Sequence, residues 1–83
     1  MKRVTILGST GSIGCSTLEV LRLHRDAFEV FALGARHNDR RLLEQCLDFA
    51  PRYAVLEDEQ AAARLRLSLR EHGGRTEVLA GSS

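Results

Sequence analysis

Residues 3–14, RVTILGSTGSIG, carry a short β-branched and apolar run straight into three glycines spaced G-x-x-G-x-x-G. Val4, Ile6 and Leu7 suit a buried parallel strand, and Ile13, Thr17, Val20, Leu21 and His24 recur at helical spacing on one face of the segment that follows. Strand, glycine turn and helix therefore stand in the order that receives the phosphates of a dinucleotide. In that order Gly8 takes the sharp turn, Gly11 lets the backbone approach a pyrophosphate with no Cβ in the way, and Gly14 lets helix and strand pack closely. The helix N-terminus then aims its free N–H groups at the anion.

Two similar motifs fail on the residues. A Walker-type phosphate loop needs G-x-x-x-x-G-K-[ST], but Ser9 stands where its first glycine belongs and Cys15 where its lysine belongs. A G-x-S-x-G nucleophile elbow fails because Thr10, not glycine, lies two residues before Ser12. The Ser12 hydroxyl is therefore read as a hydrogen-bond partner for phosphate or backbone.

The next apolar run, Phe28 to Leu33, ends about twenty residues beyond the glycines, where an NAD-binding unit places an acid on the adenosine ribose. This chain reads Gly34-Ala35-Arg36-His37-Asn38 there, with no carboxylate before Asp39. A guanidinium offers a 2′-phosphate a forked, charge-assisted contact, so the reading is NADP over NAD.

Strands and helices alternate along the rest of the chain. Asn38 or Asp39 can cap a second helix with Leu42, Leu43, Cys46, Leu47 and Ala50 on its apolar face, which Pro51 stops. Tyr53 to Leu56 reads as a third strand, Asp58 as a cap, and Ala61, Ala62, Leu65 and Leu69 as the buried face of a third helix. Gly73-Gly74 ends that helix, and a strand from Thr76 to Leu79 leads into Gly81-Ser82-Ser83. The fold class expected is α/β, a partial Rossmann-like parallel sheet with helices on both faces, the first strand interior and the second beside it. Three helices on four strands leave part of one face and one edge bare, so the chain is expected to be a truncated, marginally stable unit.

Composition narrows the partners. Twelve Lys and Arg balance eleven Asp and Glu, which gives no electrostatic footprint for nucleic acid or an anionic membrane. No apolar stretch is long enough to span a bilayer, and Met1-Lys2-Arg3 runs into a strand with no signal-peptide core, so a cytoplasmic setting is expected. Cys15 and Cys46 form no C-x-x-C pair and read as helix-packing residues. His24, His37 and His72 fall at separate places, and Asp48, Glu57, Asp58 and Glu59 read as helix-end and cap charges, so neither a catalytic constellation nor a metal cluster is expected.

LGSTGSIG followed by CSTLEV, then LLEQCLDFAPRYAVLEDE and RTEVLAG, resembles the amino end of the 1-deoxy-D-xylulose 5-phosphate reductoisomerase family along essentially all 83 residues. The resemblance implies an NADPH-binding domain in an enzyme that rearranges and reduces its sugar phosphate to 2-C-methyl-D-erythritol 4-phosphate, in the non-mevalonate route to isoprenoids. Carried over by position, it implies that Thr10, Gly11, Ser12 and Ile13 line the NADPH phosphates and nicotinamide side, and that Asn38 lies at the adenosine phosphate. At positions 36 and 37 the family commonly has glycine and a basic or polar residue where this chain has Arg36 and His37. Side chain and backbone both stay open as the source of that contact. The resemblance further implies a homodimer and a divalent metal, Mg or Mn, held with the substrate ligands in later segments of the family. Other NADP-linked reductases, of the extended short-chain or semialdehyde dehydrogenase type, share the glycine spacing and stand as the alternative, as does a non-enzymatic fragment that folds only on a partner.

Overall fold

The computed structural model describes residues 2–81, in the order β1 (Lys2–Leu7), α1 (Ser12–Arg22), β2 (Phe28–Ala35), α2 (Asp39–Phe49), β3 (Tyr53–Leu56), α3 (Glu59–Glu71) and β4 (Glu77–Ala80). Ser82 and Ser83 of the expected closing stretch lie outside the described residues. The four strands form one parallel sheet in the order β1-β2-β3-β4. Every crossover thus steps the same way across the sheet, and right-handed crossovers then place successive helices on the same side.

The packing agrees with that placement. A single core joins Leu18 and Leu21 of α1, Leu42 and Cys46 of α2 and Leu65 and Leu69 of α3 to Ile6, Leu33, Ala54 and Val78, one from each strand. Helices expected on both faces are found, among the described residues, on one. A register shift between Val4 and Thr5 sets Val4 against Val30 and Ile6 against Leu33, with Phe31 as the extra residue. The bulge lets Val30 and Leu33, three apart, both reach the helix side, where simple alternation would separate them.

Local sequence explains the helix ends. Asn38 Oδ1 accepts from the Arg41 N–H at 3.1 Å, and Asp58 Oδ2 accepts from the Ala61 N–H at 3.2 Å, so each side chain satisfies a donor that the first turn leaves free. Helix α2 stops at Ala50, which is left-handed (φ 48°), ahead of Pro51. Ala61, Ala62, Leu65 and Leu69 form the buried stripe of α3 as expected. Asp48 takes Arg22 at 2.6 Å and Arg25 at 2.8 Å, tying α2 to α1 and the turn after it.

Other expectations also need correction. The buried stripe of α1 is Gly14, Leu18 and Leu21, whereas Ile13 and Val20 are exposed, because the close contact at Gly14 fixes which side of the helix meets the sheet. β1 is an edge strand among the described residues, not an interior one, and Leu7 is 81% exposed. On α2 Leu47 and Ala50 are exposed, and Gln45 occupies the buried stripe beside Leu42 and Cys46. β2 also runs two residues further than its apolar run, so Arg36 directly follows the strand.

Candidate functional site

β1 and β2 are paired neighbours whose C-terminal ends meet at Leu7 and Gly34, so the loops that follow them emerge at the same edge of the sheet. The Ser9 N–H donates to the Gly34 carbonyl at 2.9 Å and fastens the first loop to the second strand. Parallel α/β sheets bind ligands outside this carboxyl edge. A cleft of about 510 Å³ opens there, with Gly8, Gly34, Arg36 and Glu57 among its walls.

Each glycine of the turn has its own geometry. Gly8 is left-handed (φ 71°), a conformation that side chains with a Cβ rarely adopt. A Cβ on Gly14 would lie 2.3 Å from the Gly8 carbonyl oxygen and 2.6 Å from the Ser9 Cα, which excludes any side chain. At Gly11 the backbone is extended (φ −78°, ψ 172°), and a Cβ would meet only the Gly8 oxygen, at 3.4 Å. The protein itself therefore tolerates a side chain at position 11.

Helix α1 begins immediately after. Gly11 is its N-cap, no side chain caps it and no acid occupies its first turn, so the N–H groups there stay available to an anion. Ser12 and Ile13 open the helix and are exposed, and Thr10 is half-buried. This turn has room for a pyrophosphate at Gly11, where only the Gly8 oxygen lies near a Cβ position, while Gly14 lets helix and strand backbones close against each other.

Arg36, His37 and Asn38 lie together on the second loop, all exposed. The oxygen of Asn38 is committed to capping α2, so its side chain positions the loop. The Arg36 Nε pairs with Glu57 Oε2 at 3.4 Å, on side chains that are both largely exposed. Glu57 was read from the sequence as a cap charge. Its place directly after β3, at the same carboxyl edge, was the available signal.

Gln45 was missed altogether. It is 8% exposed, and its Nε2 donates to the Ser9 carbonyl at 2.7 Å from beneath the glycine turn. A polar residue in the apolar stripe of α2 was the sign.

The cysteines and histidines take other roles. Burial pushes the Cys46 thiol up to about 12, against a smaller opposing effect of a hydrogen bond with Thr76, which keeps it protonated at neutral pH. Cys15 directs its Sγ to the Ser9 and Thr10 carbonyls at 3.6 and 3.7 Å. His72 caps α3, its Nδ1 2.8 Å from the Ser68 carbonyl. Among the described residues no three His, Cys, Asp or Glu gather as a metal site, and no helix is long and apolar enough to cross a membrane.

The 1-deoxy-D-xylulose 5-phosphate reductoisomerase profile matches residues 4–83. A reductoisomerase of that name from Aromatoleum aromaticum is 58% identical over 81 residues, covering 98% of this chain and 20% of its own length. A crystal structure of DOX-P reductoisomerase with NADPH, fosmidomycin and magnesium superposes with a TM-score of 0.93 at 30% identity, over 99% of this chain and 20% of that one. The Zymomonas mobilis 1-deoxy-D-xylulose 5-phosphate reductoisomerase in complex with NADPH gives 0.89 at 35% identity, over 96% and 21%. The chain thus spans about a fifth of the length of these relatives. The match decides between this family and the other NADP-linked reductases that share the glycine spacing. The chain belongs to the 1-deoxy-D-xylulose 5-phosphate reductoisomerase family.

Proposed function

We propose that residues 1–83 are the N-terminal part of the NADPH-binding Rossmann domain of a reductoisomerase that converts 1-deoxy-D-xylulose 5-phosphate to 2-C-methyl-D-erythritol 4-phosphate. The observation that carries this reading is the Gly8–Gly14 turn, whose side-chain-free approach of helix to strand leaves α1 open to a pyrophosphate. NADPH, when bound, supplies the hydride of the reduction. The work of this chain is to hold and orient it. Gly11 admits the pyrophosphate, the N–H groups of Ser12 and Ile13 and the Thr10 side chain bind its oxygens, and the exposed Ile13 side chain faces the nicotinamide half. Gly8 and Gly14 shape the turn.

On the adenosine side, Arg36, His37 and Asn38 form the loop that receives the 2′-phosphate. The exposed Arg36 guanidinium, which Glu57 steadies through an ion pair at 3.4 Å, offers forked donors to the phosphate oxygens. Sugar-phosphate binding, the divalent metal and the homodimer contacts belong to the remaining segments of the enzyme, which acts in the cytoplasm. Among the described residues no cluster of His, Cys, Asp and Glu could hold that metal.

Two measurements test this reading. In a full-length reductoisomerase carrying this segment, Arg36→Ala should weaken NADPH binding roughly tenfold to a hundredfold, the loss expected for one hydrogen bond to a charged group. NADH binding should stay within twofold, with both dissociation constants measured at one salt concentration. Equal losses for the two cofactors would show that Arg36 acts on loop structure and not on the 2′-phosphate. The 83-residue chain alone, mixed with NADPH, Mg²⁺ and the sugar phosphate, should oxidise no NADPH above the buffer rate. Turnover by the purified chain would contradict the division of labour proposed here.

A further inference from the structure

We infer that Gln45 is a positioning residue for the cofactor's pyrophosphate, acting through the Ser9 carbonyl; this rests on the reading of the Gly8–Gly14 turn as the NADPH phosphate site. Ser9 is the pivot of the turn. Its N–H is fastened to β2 through the Gly34 carbonyl at 2.9 Å, and its own carbonyl accepts from Gln45 Nε2 at 2.7 Å. A carbonyl only accepts, so the NH₂ end of the amide must face it. The two bonds hold Ser9 on opposite sides of its peptide units, between the left-handed Gly8 and the residues that lead to the free end of α1. A rotation of the Ser9–Thr10 peptide would carry the N–H groups beyond it off their direction, and Gln45 opposes that rotation.

The energetics argue against a role in stability alone. Gln45 is 8% exposed and Ser9 fully buried, yet Gln45 Oε1 and Ser9 Oγ have no hydrogen-bond partner among the described residues. Burying an amide with half of its hydrogen-bonding capacity unused is costly, and an apolar residue would fill the α2 stripe between Leu42 and Cys46 without that cost. A local rule of packing is broken at one place in α2, directly under the turn that carries the proposed site. The long side chain spans from helix α2 to the loop after β1, a contact of 36 residues in sequence, so it couples the pyrophosphate turn to the helix that follows the 2′-phosphate loop. Both halves of the cofactor site are thereby held in one frame.

The test uses a full-length reductoisomerase carrying this segment. Gln45→Met keeps the length and volume of the side chain and removes the donor. The Kd for NADPH, by fluorescence titration, should rise about fivefold to thirtyfold, while the KM for the sugar phosphate at saturating NADPH stays within twofold of the parent. An unchanged NADPH Kd overturns the inference, and so does a parallel rise in both constants, which marks general damage to the fold. Gln45→Leu carries the same test if Gln45→Met does not fold, and failure of both to fold assigns Gln45 to the core and withdraws the positioning role. A parent enzyme that binds no NADPH would instead refute the cofactor reading itself, independently of Gln45.

Discussion

Gly14→Ala is expected to destabilise the protein by about 3 kcal/mol or more, the upper range for forcing extra atoms into a packed site. The added Cβ would lie 2.3 Å from the Gly8 carbonyl oxygen, 2.6 Å from the Ser9 Cα and 2.9 Å from the Ser9 carbonyl carbon. All three are backbone atoms, so no side chain can swing away to make room. Relief requires α1 to move off β1, which opens the contacts of Leu18 and Leu21 with the core. Denaturant unfolding of a full-length reductoisomerase carrying the segment measures the loss. A stability within about 0.5 kcal/mol of the parent, the usual range for a harmless surface change, would contradict the packing described for the turn.

Much of this geometry was legible in the sequence, and for identifiable reasons. Gly8, Gly14, Asn38 and Asp58 sit where local backbone chemistry dictates the residue: a left-handed turn, a contact that excludes Cβ, and two helix caps. The stripe of α3 was readable because Ala61, Ala62, Leu65 and Leu69 recur at helical spacing on a charge-rich helix. Helix α1 was misread in part because two stripes compete: Leu21 of the expected face is buried, but Ile13, Thr17 and Val20 lose to Gly14 and Leu18. Periodicity cannot rank them. The contact that does, between Gly14 and the Gly8–Ser9 backbone, is tertiary.

The same holds for the sheet. Each crossover is local, but the order β1-β2-β3-β4, and with it the edge position of β1 and the single helix-covered face, depends on which neighbour each strand selects. The Phe31 bulge is likewise a pairing event that no single strand announces. On the functional side, the glycines and Arg36 announced themselves by residue type. Glu57 and Gln45 did not, because their significance lies in what they touch: the Arg36 guanidinium in one case and the Ser9 carbonyl in the other.

Gly11 separates the ligand from the fold more cleanly than any other position. Its backbone is extended (φ −78°, ψ 172°), a conformation open to every L-residue, and a Cβ would have only the Gly8 oxygen nearby, at 3.4 Å. Gly11→Val should therefore cost the unliganded protein only about 1 kcal/mol, the loss of a favourable N-cap residue, and leave it folded. The two γ-methyls would project into the space that the pyrophosphate needs. The expected cost is about a hundredfold in affinity, or about 2.7 kcal/mol. The decisive measurement is a fluorescence titration of NADPH into parent and Gly11→Val, both carried in a full-length reductoisomerase and both shown folded by their unfolding curves. The account predicts saturable binding by the parent and a dissociation constant about a hundredfold higher for the variant. Equal dissociation constants for two folded proteins would contradict it, because the Gly8–Gly14 turn would then not be where the cofactor's phosphates lie.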